Sequence, residues 1–127
     1  MEHSATHGAM ARPILVVEDD EDTVATLRML LEDEGYPSCS AQDADDAIAS
    51  LERLDPGLVL LDWSLGSGSG QDVLSAARSR AETRTPVVLM TGNCGVTHAA
   101  SPGAAAVLRK PFDMTELLRI VERYYQP

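Results

Sequence analysis

Apolar positions along this chain fall into short unbroken runs separated by stretches in which they recur every third or fourth residue, and the two patterns alternate. Ile14–Val17 is a β-branched-rich run of the kind buried on both faces of a sheet, and the polar "EDDEDT" follows it directly. Val24, Leu27, Leu30 and Leu31 then repeat at helical spacing behind an acidic first turn that suits a helix N-terminus, until Gly35 and Pro37 end the segment. A weak second strand is predicted over 36–40. Asp43 can cap the next helix, whose stripe is Ala44, Ala47, Ile48, Leu51 and Leu54, and "DPG" at 55–57 stops it. Leu58–Leu61 reads as strand three, a helix over roughly 70–80 carries Val73, Leu74 and Ala77, and Pro86 opens a fourth apolar run, Val87–Met90. Ala104–Leu108 can form a fifth strand before "KPF", and Asp113 caps a final helix with Leu117, Ile120, Val121 and Tyr124 facing inward.

Apolar strands that each precede an amphipathic helix require a parallel sheet covered on both faces, so the class is doubly wound α/β. One interval breaks the rhythm. "GNCGVTHAASPG" at 92–103 is too rich in glycine, serine and proline for a helix of normal length, and the fourth helix of the alternation is expected to be short or disordered. The opening "MEHSATHGAMAR", residues 1–12, has neither apolar periodicity nor the apolar core of a secretion signal and reads as a disordered lead or an expression remnant, with the domain over 13–127.

Composition narrows the classes of function. A chain of 127 residues fits one domain with an adequate core, and no apolar run approaches the length needed to span a bilayer. Twenty acidic against ten basic side chains leave a net charge of −10, which argues against direct binding to nucleic-acid phosphates or an anionic membrane. Cys39 and Cys94 have no metal or redox spacing, and without a signal peptide they suit a reducing cytoplasm.

In open α/β sheets ligands bind beyond the carboxyl ends of the strands. The residues expected there are Glu18, Asp19 and Asp20 after strand one, Asp62 after strand three, Thr91 after strand four and Lys110 after strand five. Singly, each has a structural explanation: acidic groups suit a helix start, and a lysine after a strand is usually solvated. Together they are carboxylates from neighbouring strands flanked by a hydroxyl and an ammonium. Carboxylates so close repel unless a cation lies among them, and magnesium prefers such oxygen donors. An aspartate can also act as nucleophile and carry a phosphoryl group, a chemistry that depends on positioning and on neutralising the equatorial oxygens. Asp62 is best placed for that role, with Lys110 and Thr91 beside it.

The ordered set "ILVVEDDED", "LVLLDWSLGSGSG", "VVLMTG" and "LRKPF" resembles the receiver domains of two-component response regulators over residues 13–126. The resemblance implies a flavodoxin-like sheet of order 2-1-3-4-5. It implies that Asp62 accepts phosphate from a sensor histidine kinase or histidine phosphotransfer protein, with Mg²⁺ held by Asp19, Asp62 and the backbone carbonyl of Ser64 and reached by Glu18 through water. Thr91 and Lys110 would bond phosphoryl oxygens, and Lys110–Pro111 would be a cis peptide. Ser64 and Asn93 occupy the positions that tune dephosphorylation. The protein would be no enzyme beyond catalysing its own phosphorylation and dephosphorylation, and no downstream partner is legible.

Two features depart from that family. Val107 stands where receivers usually carry an aromatic residue that swings inward on phosphorylation, and a β-branched side chain is stiff about its first torsion. The interval from Thr91 to Lys110 is also short by roughly one helical turn. Alternatives are therefore a receiver-fold module that binds a partner without phosphorylation, or a receiver fragment of a hybrid histidine kinase. A phosphatase of the haloacid-dehalogenase kind would place a second carboxylate at Ser64. A dinucleotide site built on Gly66, Gly68 and Gly70 fails because the motif follows the third strand rather than the first. Those glycines are expected to serve the turn out of strand three.

Overall fold

The computed structural model describes residues 11–64, 70–80, 85–92 and 103–127. Within them the chain runs β1 (Ile14–Val17), α1 (Glu21–Asp33), β2 (Ser38–Ala41), α2 (Ala44–Leu54), β3 (Leu58–Asp62), α3 (Gly70–Arg78), β4 (Val87–Thr91), β5 (Ala106–Arg109) and α4 (Met114–Tyr124). All strand pairs are parallel, in the order β2-β1-β3-β4-β5. The doubly wound fold and its strand order are as the sequence implies. The segment 92–103, expected to hold a short or disordered helix, falls almost wholly on residues outside the described set, as do Gly66, Gly68, Asn93 and Cys94.

Alternation along the strands divides the core in two. Leu15, Val17, Val59, Leu61, Val87 and Leu89 point to the face covered by α2 and α3, through Ala47, Leu51, Val73, Leu74 and Ala77. Ile14, Val16, Leu58, Leu60, Val88 and Met90 point to the face covered by α1 and α4, through Leu27, Leu31, Leu117 and Val121. Because both faces are covered, the middle strands β1, β3 and β4 are buried along their whole length. That burial is why their sequences are continuous apolar runs rather than alternating ones.

Element ends differ from the sequence reading by one or two residues, for local reasons. β2 begins at Ser38 rather than at 36 because the Tyr36 N–H still closes α1, donating to the Leu31 carbonyl, while Gly35 takes a φ of 92° at the helix end. β3 and β4 each extend one residue, to Asp62 and Thr91, so these two polar side chains are held by the sheet itself. β5 starts at Ala106 rather than at 104. The caps Asp43 and Asp113 accept from the backbone N–H groups of Asp46 and Glu116, and Asp113 with Glu116 completes a capping box.

Arg12, which its polar context places in the lead, is fastened to the foot of the sheet. Its guanidinium donates to the carbonyls of Asp55 (3.0 Å) and Pro56 (2.8 Å) and pairs with the Asp55 carboxylate, which also receives Arg80 at 2.7 Å. The Tyr125 hydroxyl donates to the Arg12 carbonyl, the Gly57 N–H to Pro13 and the Gln126 N–H to Gly57. The described part of the domain therefore begins before residue 13.

Candidate functional site

Register builds the site. Val17 lies opposite Leu61, so the residues that follow, Glu18 and Asp62, emerge side by side at the carboxyl ends of β1 and β3. Asp62 pairs with Met90, Thr91 with Arg109, and the Lys110 N–H donates to the Thr91 carbonyl at 2.7 Å. Four polar residues that succeed apolar runs are thus carried to one end of four adjacent strands.

The acidic group is compact. One carboxylate oxygen from each of Glu18, Asp19 and Asp62 lies within 4.8 Å of the others. Glu18 and Asp62 are each only 3 % exposed, as is Thr91, whereas Asp19 faces solvent. The Lys110 ammonium reaches between the two buried carboxylates, 3.5 Å from Glu18 Oε1 and 3.5 Å from Asp62 Oδ1. Burial, followed by the neighbouring Asp62 charge, pushes the Glu18 carboxyl above its ordinary range, against the Asp20 N–H and Lys110, which favour its charged form. Ser64 folds back on Asp62, both its N–H (3.1 Å) and its hydroxyl (3.0 Å) donating to Oδ1. Lys110–Pro111 is a cis peptide.

The three consecutive acids of "EDD" have separate duties. The Asp20 carboxylate caps α1, accepting from the Thr23 N–H at 3.0 Å and from the Thr23 hydroxyl, and these bonds hold its carboxyl below the usual range. Glu18 and Asp19 are left to face Asp62. The sequence reading groups Asp20 with its two neighbours at the strand end; the Asp-x-x-Thr spacing is the signal that marks it as a cap.

Val107 lies opposite Leu89 in the β4–β5 pairing, half-buried and packed on the core with α2 and α3. Asn93 is outside the described residues. Gly70 is the first residue of α3, not part of a turn, and its constraint is steric: a side chain there would run into the ring of Trp63. Sequence reading missed that contact because nothing local links positions 63 and 70.

The arrangement is a buried carboxylate with hydrogen-bond donors on one oxygen, an ammonium beside it, and two further carboxylates grouped with it. Residues 14–122 match the response regulator receiver domain family. The chain belongs to that family. Among curated relatives, this receiver is 36 % identical over 119 residues to the nitrogen assimilation regulatory protein NtrX of Azorhizobium caulinodans, covering 90 % of this chain and 26 % of the relative. It is 36 % identical over 113 residues to the phosphate regulon transcriptional regulatory protein PhoB of Klebsiella pneumoniae, covering 86 % of this chain and 49 % of that protein. The receiver thus spans half or less of these relatives' length. Among solved structures, it superposes on a receiver domain from Bermanella marisrubri with a TM-score of 0.81 at 26 % identity, covering 89 % of this chain and 97 % of that one. The receiver domain of a sensor histidine kinase from Pseudomonas aeruginosa, with a magnesium ion coordinated in its active-site cleft, superposes with a TM-score of 0.79 at 27 % identity, covering 89 % and 96 %. Among the described residues, no helix is long and apolar enough to cross a membrane.

Proposed function

We propose that this receiver takes a phosphoryl group onto Asp62 from a phosphohistidine of a sensor histidine kinase or histidine phosphotransfer protein in the cytoplasm, in a magnesium-dependent reaction, and signals by a change of surface. The observation that carries this reading is the Lys110 ammonium held 3.5 Å from a buried Asp62 that is also grouped with Glu18 and Asp19. In the transfer an Asp62 oxygen forms the new O–P bond as the N–P bond of the phosphohistidine breaks, its electron pair returning to the imidazole nitrogen. Ser64 fixes the orientation of the Asp62 carboxylate through its two donors, so the reacting oxygen is presented without reorganisation. Lys110 and Thr91 supply an ammonium and a hydroxyl for the incoming phosphoryl oxygens.

The donor set fits a hard divalent ion. Three carboxylates offer oxygen only, and one of them, Glu18, is buried against its own charge and against that of Asp62. Glu18, Asp19, Asp62 and the Ser64 carbonyl would hold Mg²⁺, which when bound neutralises charge on the phosphoryl group and on these acids.

Intact mass after treatment with acetyl phosphate tests the reading. Wild type should gain one phosphoryl group in Mg²⁺ and lose the gain in excess chelator, and Asp62→Asn should gain none. No adduct, or one that survives Asp62→Asn, would overturn it. A second reading, an interaction module that works without phosphorylation, is favoured by Val107, whose packed β-branched side chain has no ring to swing. A domain that never takes up phosphate yet keeps its partner would fit that reading instead. Whether the receiver acts alone, within a hybrid kinase, or joined to a further domain as in the longer relatives decides its downstream partner.

A further inference from the structure

Trp63 sits between the two residues whose geometry matters most, Asp62 and Ser64, and its ring is seated against α3. A Cβ placed on Gly70 would lie 2.8 Å from Trp63 Cε3 and 3.2 Å from Cζ3. Ordinary contacts between carbon atoms are about 3.5–4.0 Å, so the ring would have to retreat by roughly 1 Å to admit a single methyl group. The core on one side of this half-buried ring limits that retreat. The Trp63 N–H is tied to the Met90 carbonyl of β4 at 3.0 Å, and the ring packs on the core cluster that also holds Leu61 and Val73. Whatever displacement the side-chain torsions do not absorb falls on the backbone of residue 63. One peptide unit before it lies Asp62, and one after it lies the Ser64 N–H that donates to Asp62 Oδ1.

We propose that Gly70 is a positioning residue for the phosphoacceptor: its bare Cα leaves room for the Trp63 indole, so that residues 62 and 64 keep the reactive geometry, and Trp63→Leu alone should react within about twofold of wild type. The proposal rests on the reading of Asp62 as phosphoacceptor. It also reverses the expected reason for this glycine. Gly70 lies in a helix, where alanine is ordinarily the better residue, so without the indole contact Gly70→Ala would be neutral or stabilising.

The test compares wild type, Gly70→Ala, Trp63→Leu and the double variant in phosphorylation by acetyl phosphate at saturating Mg²⁺. Misplacement of a reacting group by about 1 Å can cost up to about a hundredfold, so a partial shift in Gly70→Ala should lower the maximal rate about tenfold. The acetyl phosphate concentration giving half the maximal rate should stay within about twofold of wild type. The double variant, in which a smaller side chain leaves space for the new methyl, should recover most of that loss. In ¹H–¹⁵N spectra the Ser64 amide should shift in Gly70→Ala while Val16 and Val88, on the opposite face of the sheet, keep their positions. If wild type takes up phosphate and Gly70→Ala matches its rate, the positioning role is overturned. Failure of the double variant to outpace Gly70→Ala, or a Ser64 amide that does not move, would overturn it equally. If wild type itself takes up no phosphate, the phosphoacceptor reading fails instead. Should Gly70→Ala not fold, the double variant decides: folding and reacting supports the seat, and failing to fold refutes it.

Discussion

Replacing Arg12 by alanine should lower stability by about 2 kcal/mol, although its neighbours in sequence read as a disordered lead. Two short hydrogen bonds from the guanidinium to backbone carbonyls, at 3.0 Å to Asp55 and 2.8 Å to Pro56, would be lost, while a third, exposed and 3.5 Å long to Gln126, adds little. Each contributes about 1 kcal/mol net. The ion pair with Asp55 adds little, because that carboxylate is 45 % exposed and keeps Arg80 at 2.7 Å. Pro56 in turn keeps the Thr85 hydroxyl at 3.2 Å, so no buried carbonyl is orphaned and the loss should not exceed the sum of the two bonds. For a domain of this size 2 kcal/mol lowers the melting midpoint by about 8 °C. Urea unfolding followed by Trp63 fluorescence measures it, with an unchanged slope showing that only stability has moved. Arg12→Lys should recover little, since an ammonium cannot span two carbonyls and a carboxylate as the planar fork does. Phosphorylation per folded molecule should stay at the wild-type level, because Arg12 is at the opposite end of the strands from Asp62. A loss below about 0.5 kcal/mol, or full recovery by lysine, would refute the reasoning.

Three further outcomes follow from the site and the caps. Millimolar Mg²⁺ should raise the melting midpoint of wild type but not of Asp19→Asn, since an ion that binds only the folded acidic group stabilises it by mass action; equal shifts in both proteins would remove Asp19 from the ligand set. Without the ion, the raised Glu18 carboxyl means the folded state holds its proton more tightly than the unfolded one. That contribution is therefore lost as pH climbs above 4.5, and Glu18→Gln should gain on wild type with rising pH, whereas a pH-independent difference in urea midpoints would contradict this. Asp113→Ala should cost about 1 kcal/mol through loss of the cap of α4, and a thermal melt indistinguishable from wild type would show that the capping box contributes nothing.

The fold was legible because a parallel sheet covered on both faces writes itself as apolar runs, and the grouping of the candidate site's residues was legible because they are the polar residues that end those runs. Glu18, Asp62, Thr91 and Lys110 needed no knowledge of distant contacts, only of which strands become neighbours. Arg12 and Gly70 did. The partners of Arg12 lie 43, 44 and 114 positions away, and nothing in a polar stretch distinguishes an arginine that reaches them from one left in solvent. Gly70, read as one of three turn glycines, is required by an indole seven residues earlier, a relation set by how α3 settles on β3 rather than by any periodicity. The strand ends moved for the same reason: whether Tyr36 finishes α1 or begins β2 depends on the Leu31 carbonyl it finds, not on its own propensity.

Acidic composition alone is a poor guide in such a chain, and burial is what separates its carboxylates. Asp20, Asp43 and Asp113 accept hydrogen bonds from helix N-termini, and Asp55 sits between two guanidiniums, so each has a structural partner that accounts for its charge. Glu18 and Asp62 are of another kind. They are buried side by side, and the Lys110 ammonium between them is itself a third exposed and 3.5 Å from each. Taking such charges out of water costs several kcal/mol apiece, and apolar residues of similar size would generally stabilise a fold as well or better. A module that only had to fold and bind would gain nothing from keeping the pair at the carboxyl ends of two central strands. A module that must attract a divalent ion and expose an aspartate to a phosphoryl donor requires that unfavourable arrangement, and this physical asymmetry weighs for the phosphoacceptor reading over the inert one.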